Sequence, residues 1–306
     1  MIFRYVYRDG VWLDLEHPTE EEVHSIAQEF GISERLQTEI LTPTPSSLVA
    51  SEEGMVFLVL HFPTNGANDG VIRDQEVDFL VGKNFIITVR YEVVASLHRL
   101  QKVLETQRLI SSHDTLTTDV MLEILFAHLY AAVRDHTATI AERLTGIERD
   151  MFSGLERKTV RLISDISREF LHIEASLANQ ESSLTRFLKA LALRHSFGPF
   201  FEERSERIFV ERDQVSRLVS TYRAVATELR QTNASLLESR QNDIMRALTM
   251  ITVLVLPLEL IAVTFGIHAP GTPFEGESNG FWIIITIMLS LTGIMTIFFA
   301  KKRWLF

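Results

Sequence analysis

A single carboxylate interrupts an otherwise uncharged stretch close to the C-terminal end of the chain. From Ala247 to Gly266 the sequence reads ALTMITVLVLPLELIAVTFG, and Glu259 is its one ionisable side chain. A carboxylate at mid-membrane depth costs several kcal/mol unless it faces protein or water. If this stretch crosses a bilayer, Glu259 is therefore a candidate for binding a cation in a hydrated path.

Glu259 shares one helix face with most of the polar groups around it. At roughly 100° per residue, seven residues fall within a sector about 100° wide. This set, called the Glu259 face below, is Asn242, Met245, Thr249, Thr252, Leu256, Glu259 and Val263. Such a face could line a pore, with Met245 and Leu256 as apolar constrictions that gate by dewetting. Because one helix cannot enclose water and two cannot form a pore, several copies of the chain would be needed.

The same carboxylate could instead be satisfied inside one chain. The next apolar stretch carries hydroxyls at Thr286, Thr292 and Thr296, any of which could pair with Glu259 away from water. The Glu259 face would then be an ordinary contact between helices, and the sequence leaves both interpretations open.

Two apolar stretches of membrane-spanning length carry these residues. The first is Ala247 to Gly266, and the second is Phe281 to Ala300, which has no charged side chain. At about 1.5 Å per residue, some twenty residues match a hydrocarbon core of about 30 Å. The loop between them has two acids and no Lys or Arg, whereas basic residues flank both outer ends. The bias of Lys and Arg toward the cytoplasm predicts a transmembrane hairpin with both termini cytoplasmic.

The remainder of the chain has the patterns of a soluble α+β domain followed by long helices. Turn signals at Asp9-Gly10 and Gly82-Lys83-Asn84 separate strand-like runs. Apolar residues then recur at helical spacing in two long helices, and a third begins near Glu203 and meets no Pro or Gly until Pro257. That helix is expected to continue from a polar stalk into the membrane.

These patterns predict seven consecutive segments. They are a cytosolic α/β domain (1–112), a cytosolic long-helix pair (113–202), a stalk helix (203–246), a pore-lining transmembrane helix (247–266), an extracytoplasmic loop (267–280), a second transmembrane helix (281–300) and a basic cytosolic tail (301–306).

Composition excludes several classes of function. The 306 residues carry a net charge of −10, which argues against a nucleic-acid partner. The chain has no Cys, so disulfides and thiolate metal ligands are absent. No HExxH, Walker loop, dinucleotide fingerprint or nucleophile elbow occurs, so nothing supports an enzyme or a bound cofactor. No secretory signal is evident at the N-terminus.

The sequence resembles the CorA family of divalent-cation channels and transporters over nearly its whole length. The run NDIMRALTMITVLVLPLELIAVTFGIHA, a short acidic loop, a second span and the ending KKRWL are similar to the family's membrane region. VDFLVGKNFIITVR, at 77–90, and LDLEHPTEEEV near the start are similar to its cytosolic domain. The family's outer-mouth signature Gly-Met-Asn stands here as Gly266, Ile267 and His268. Gly-Ile-Asn occurs in the zinc-transporting branch, ZntB, so His268 is the main departure, together with Glu259 where a small polar residue is usual.

The resemblance implies a funnel-shaped homopentamer in a bacterial-type inner membrane, whose first spans enclose a pore for divalent cations. Five copies of His268 would stand at the outer mouth, and His268 and Glu259 would be the metal-binding residues. Imidazole prefers Zn²⁺, Ni²⁺ and Co²⁺ to Mg²⁺, so all four ions are candidates for transport. Five Glu259 carboxylates could not all ionise in a narrow, low-dielectric pore, which would make conduction depend on pH.

A second hypothesis assigns the chain to a different class of function. It is a membrane scaffold of the same architecture that does not conduct and whose cytosolic domain binds a protein partner. Cation flux into liposomes distinguishes this scaffold from a transporter.

Overall fold

The computed structural model describes residues 1–52, 54–65, 72–108, 116–194, 197–266 and 279–301. The chain divides into two compact units, Met1–Arg230 and Gln231–Phe306. The first unit contains a mixed sheet with helices, and the second contains the end of a long helix and the last helix. The predicted class, an α/β domain followed by long helices and two apolar helices, is confirmed, while the seven predicted segment boundaries stay predictions.

The first unit is built on a six-stranded sheet in the order β1-β2-β6-β5-β4-β3. Its strands are β1 (Ile2–Tyr7), β2 (Gly10–Glu16), β3 (Leu48–Glu52), β4 (Met55–Asn65), β5 (Ile72–Gly82) and β6 (Phe85–Arg90). Neighbouring strands are antiparallel except β2 and β6, which are parallel with Val11 opposite Phe85. Both turn predictions are confirmed, because β1–β2 and β5–β6 are hairpins.

Two short helices follow β2 and are delimited by local signals. Helix α1 (Glu20–Phe30) begins with a capping box at Thr19 and Glu22. The Thr19 hydroxyl accepts a hydrogen bond from the backbone N–H of Glu22, and the Glu22 carboxylate accepts one from the backbone N–H of Thr19. It ends at Gly31, whose φ of 69° is left-handed and therefore favours glycine. Helix α2 (Glu34–Leu41) begins after its N-cap, Ser33.

The sheet is covered by helices on both faces, which is why its central strands are apolar on both sides. Helices α1 and α2 pack on one face through the buried side chains of Val23, Ile26, Leu36 and Ile40. Helices α4 (Thr118–Phe152) and α5 (Glu156–Leu193) contact the other face. There the ring of Phe79 stacks on that of Phe126 with centroids 4.8 Å apart, and Phe62 meets Tyr130 edge-on at 5.7 Å.

A buried ionic network holds β2, β6 and helix α3 (Ala95–Arg108) together. Asp14, which is 1% exposed, accepts hydrogen bonds from the Arg90 Nε at 2.9 Å, the Thr88 hydroxyl at 2.6 Å and the Gln101 amide at 2.6 Å. Arg90 also contacts Glu16 at 2.7 Å. Burial raises the pKa of Asp14, and the charge of Arg90 together with these hydrogen bonds offsets part of that desolvation.

The last two helices contain the predicted membrane stretches. Helix α6 (Phe201–Gly266) begins two residues before the predicted start and continues through Pro257, the proline that interrupts its apolar part. Helix α7 (Gly280–Lys301) contains the second apolar stretch. Each has a mean hydropathy of 2.2 over its most apolar window, so both are long and apolar enough to cross a membrane.

Candidate functional site

All seven residues of the Glu259 face are exposed in the chain. The exposed fractions of its apolar members are large, at 54% for Met245, 58% for Leu256 and 58% for Val263. The three polar side chains of this face that lie within the apolar stretch, Thr249, Thr252 and Glu259, are exposed as well. Of the outer-mouth motif, Gly266 is the exposed last residue of α6, whereas Ile267 and His268 lie outside the described residues.

The opposite side of the same helix is partly covered. In the apolar part of α6 the partly buried residues recur at helical spacing: Leu254, Pro257, Leu258, Ile261 and Phe265. At roughly 100° per residue, the centre of this stripe lies about 170° from the centre of the Glu259 face. The side that carries the polar groups is therefore the side that the chain leaves open.

Helix α7 also has one side that is less exposed than the rest. Its partly buried or buried residues include Ile284, Met288, Leu291, Met295 and Phe299, which again follow helical spacing. Each apolar helix of the second unit thus has one shielded side. In α6 the shielded side excludes every member of the Glu259 face.

Glu259 is not satisfied by the second apolar helix. Its carboxylate makes no hydrogen bond or ion pair with any residue in the described part of the chain. The hydroxyls of Thr286, Thr292 and Thr296 each donate at 2.8 Å to a carbonyl one turn earlier in α7 itself. The alternative in which one of them pairs with Glu259 is therefore not found in the single chain.

The threonines of the Glu259 face present oxygen lone pairs rather than hydrogen atoms. Thr249 donates its hydroxyl hydrogen to the Met245 carbonyl at 2.8 Å, and Thr252 donates to the Leu248 carbonyl at 2.9 Å. Because each hydroxyl has one hydrogen and two lone pairs, what remains available is an acceptor. With the Glu259 carboxylate, the polar groups within the apolar part of this face can attract a cation.

The face continues beyond the residues that the sequence analysis named. Extending the same 100° spacing toward the start of the second unit adds four more residues, all exposed: Gln231, Ala234, Glu238 and Gln241. Between Gln231 and Gly266 the acids on this face are Glu238 and Glu259, while Arg240, Asp243 and Arg246 fall on other sides of the helix. The helical spacing alone places Glu238 on the Glu259 face, but the face predicted from the sequence begins at Asn242.

One copy of the described chain does not assemble a metal site. No group of three or more His, Asp or Glu side chains close enough to hold a metal ion occurs within the described ranges. A cation held by Glu259 would therefore need ligands from water or from other copies of the helix.

Comparison with known proteins gives one family along the whole chain. A family model described as CorA-like Mg²⁺ transporter protein matches residues 8–303. The cobalt/magnesium transport protein CorA of Thermotoga maritima is 22% identical over 310 residues, covering 98% of this chain and 85% of that protein. The protein of the same name from Methanocaldococcus jannaschii is 20% identical over 300 residues, covering 96% and 91%.

Solved structures share the fold. The complete structure of the CorA magnesium transporter from Methanocaldococcus jannaschii has a TM-score of 0.81 at 19% identity, covering 98% of this chain and 93% of that one. The full-length CmaX protein has a TM-score of 0.69 at 16% identity, covering 96% and 89%. At these identities the similarity shows a common fold.

Proposed function

The chain belongs to the CorA-like Mg²⁺ transporter family, and we propose that it conducts divalent cations through a pore enclosed by copies of helix α6. The family consists of divalent-cation transporters rather than enzymes. The pore, its stoichiometry and its ion preference are the parts of the proposal specific to this chain.

The observation that carries the proposal is the exposure of the Glu259 face opposite the shielded side of α6. Lipid cannot solvate the Glu259 carboxylate, so this face requires protein or water. The chain's own second span does not cover it. A ring of identical helices would enclose the face around water, and the family resemblance supports five copies as a homopentamer.

The proposed cation path combines rings of different chemistry. Glu238 and Asn242 would attract hydrated cations at the cytoplasmic end, Met245 and Leu256 would form apolar constrictions, and Glu259 would bind ions between them and the outer mouth. Basic residues at the outer ends of the hairpin support cytoplasmic termini in a bacterial-type inner membrane. The segment boundaries given by the sequence are part of this proposal.

The ion preference follows from ligand chemistry. Relatives are named as magnesium and cobalt/magnesium transport proteins, which supports Mg²⁺ and Co²⁺ as cargo. Carboxylate and hydroxyl oxygens suit Mg²⁺, whereas an imidazole ring of His268 at the outer mouth would favour Zn²⁺, Ni²⁺ and Co²⁺. Changing His268→Asn is expected to raise Mg²⁺ uptake relative to Zn²⁺ uptake.

Two matched threonines test whether the Glu259 face lines the path. Thr252 and Thr264 are both exposed on α6, and both donate their hydroxyl to the carbonyl one turn earlier, at 2.9 and 2.7 Å. Thr264 lies about 90° from the centre of the Glu259 face. Uptake of each of the four ions into proteoliposomes should fall at least about twofold in Thr252→Val and stay unchanged in Thr264→Val.

Equal effects of the two substitutions would contradict this assignment of the face. If no cation enters liposomes containing the intact protein, the non-conducting scaffold that binds a cytosolic partner becomes the better account. The oligomeric state of the purified protein, measured by native mass spectrometry, tests the homopentamer separately.

A further inference from the structure

A polar cavity of about 760 Å³ opens in the first unit, far along the chain from the apolar helices. The residues that line it come from the segment 43–47, which links α2 to β3, from β4, β5 and α5, and from the end of β6. They include three carboxylates, Asp74, Glu76 and Glu92, and one imidazole, His61, with no Lys or Arg. The cavity is thus an acidic site with one titratable base.

His61 and Glu76 are directly opposite each other across the β4–β5 ladder and together hold the linker. The backbone N–H of Thr44 donates to both Glu76 carboxylate oxygens, at 2.9 and 2.8 Å. The Nε2 of His61 lies 2.8 Å from the Thr44 carbonyl. Since a carbonyl only accepts, Nε2 carries a hydrogen and Nδ1 is the nitrogen that gains the second proton. The same Nε2 is 3.6 Å from Glu76 Oε2.

The backbone of His61 is fixed independently by α5. The Ser176 hydroxyl and the Gln180 amide both donate to the His61 carbonyl, at 3.0 and 2.5 Å. Gln180 is in turn held by the Tyr130 hydroxyl at 3.0 Å. A change in the charge of the imidazole would therefore act on the linker rather than on the strand.

A second carboxyl group, Asp78, lies behind the cavity and is fully buried. The Tyr91 hydroxyl is 2.8 Å from the Ile40 carbonyl and 3.0 Å from Asp78 Oδ2. Tyr91 has a single hydroxyl hydrogen, which these two acceptors share, so Asp78 Oδ2 receives only part of one hydrogen bond. The other oxygen, Oδ1, has no hydrogen-bond partner among the described residues. A fully buried carboxyl group with so few donors fits a protonated carboxylic acid better than a carboxylate.

We propose that His61, Glu76 and Asp78 form a proton-operated latch, which holds the linker 43–47 against the sheet while His61 and Asp78 are protonated and releases it as those two groups lose their protons. The ligand of the site is the proton, and the moving part is the linker. The latch lies entirely in the first unit, so it does not depend on the proposed pore.

The direction of the response follows from how each pKa differs from its ordinary value. Glu76 raises the pKa of His61, chiefly through the close contact of its carboxylate with the ring at 3.6 Å. Burial raises the pKa of Asp78 well above its usual range, and the charge of Glu76 adds to it. A group with a raised pKa stabilises the folded arrangement below its unfolded pKa and loses that contribution as the pH rises through its folded pKa. Both groups therefore hold the linker more firmly at mildly acidic pH.

Other acids around the latch act in the same direction. Asp74 from β5 raises the pKa of His61, and Glu39 from α2 raises the pKa of Asp78. Two further groups face the cavity: Glu92, which follows β6 and lines it, and His172 from α5, whose Nε2 lies 3.2 Å from Asp74.

Because the chain has no cysteine, a spin label can be attached at one introduced cysteine alone. A nitroxide attached to Ser46→Cys in the full-length protein reports the mobility of the linker, because Ser46 is exposed and lines the cavity. On raising the pH from about 6 to about 8.5, the mobile fraction of the electron paramagnetic resonance spectrum should increase at least about twofold.

Three further variants of the labelled protein identify the side chains that cause the pH response of the linker. His61→Gln keeps a donor for the Thr44 carbonyl but cannot titrate, and it should remove at least about half of the pH response. Adding Asp78→Asn should remove the remainder. His24→Gln, on the exposed surface of α1, should leave the response unchanged. A label that is equally mobile at both pH values, or a response that persists in the double variant, overturns the latch.

Discussion

Two carboxylates illustrate how differently the two units satisfy their polar groups. Asp14, inside the first unit, has hydrogen bonds from Arg90, Thr88 and Gln101. Glu259, on an apolar helix of the second unit, is exposed and has no partner within the described part of the chain. A buried charge without partners would be expelled from either a protein core or a bilayer. The first unit therefore supplies the partners of its buried Asp14 from within one chain, whereas Glu259 in the second unit requires something further.

The largest effect is expected from removing the buried acid of the first unit, Asp14. Asp14→Ala leaves Arg90 buried without its main counter-charge, which should lower the free energy of unfolding by about 3–5 kcal/mol. Thermal unfolding of the detergent-solubilised chain, followed by tryptophan fluorescence, measures the loss, since Trp12 donates to Thr88 within the same network. The partly exposed Asp165 pairs with Arg168 on the surface of α5, and Asp165→Ala should cost less than about 0.5 kcal/mol. Similar costs for both variants would mean that the network contributes little.

Removing the charge of Glu259 in the second unit should lower cation uptake without lowering stability. Glu259→Gln removes a charge that has no partner among the described residues, so the thermal unfolding of the first unit should be unchanged. Cation uptake into proteoliposomes should fall at least about tenfold, because the ring that binds the ion loses its charge. Glu228→Gln, another exposed acid of α6, is the matched control and should retain uptake. Full uptake by Glu259→Gln would show that this carboxylate does not face the path.

A smaller effect is expected from the second acid on the same face. Glu238→Gln should reduce uptake about two- to fivefold at low ionic strength, because the charge concentrates cations without binding them directly. The difference should disappear near 1 M salt, where charges more than about 3 Å apart are screened. Asp243→Asn removes an exposed acid on another side of α6 and should have no effect. A loss of uptake that is insensitive to salt would indicate direct coordination by Glu238 instead.

The parts of the fold that could be predicted are those with local signals. The capping box at Thr19, the left-handed Gly31 and the two hairpin turns are each encoded within a few residues. Strand β3 was not predicted, because it is a short edge strand without clear alternation between buried and exposed residues. Helix α3 was not predicted either, because its buried leucines, Leu97, Leu100 and Leu104, form a narrow stripe on an otherwise polar helix.

The two candidate sites also differ in how far the local sequence predicts them. The Glu259 face follows from the spacing within one helix, so the sequence sufficed to name it, although not to show which side of the helix is shielded. The latch could not be predicted, because His61 and Glu76 meet only through the register of β4 with β5. Asp78 becomes notable only through the hydroxyl of Tyr91, which comes from the end of another strand.

The parallel pairing of β2 with β6 also constrains how the protein is made. Strand β2 cannot pair with β6 until Phe85, which lies opposite Val11 and 74 residues later in the chain, has been synthesised. Such distant pairings are slow to form because the intervening chain has to be ordered first. Until β6 leaves the ribosome, β2 has an open edge that could aggregate with other nascent chains. A truncation before β6 should therefore yield insoluble protein, whereas the β2–β6 pair can close before either apolar helix has been synthesised.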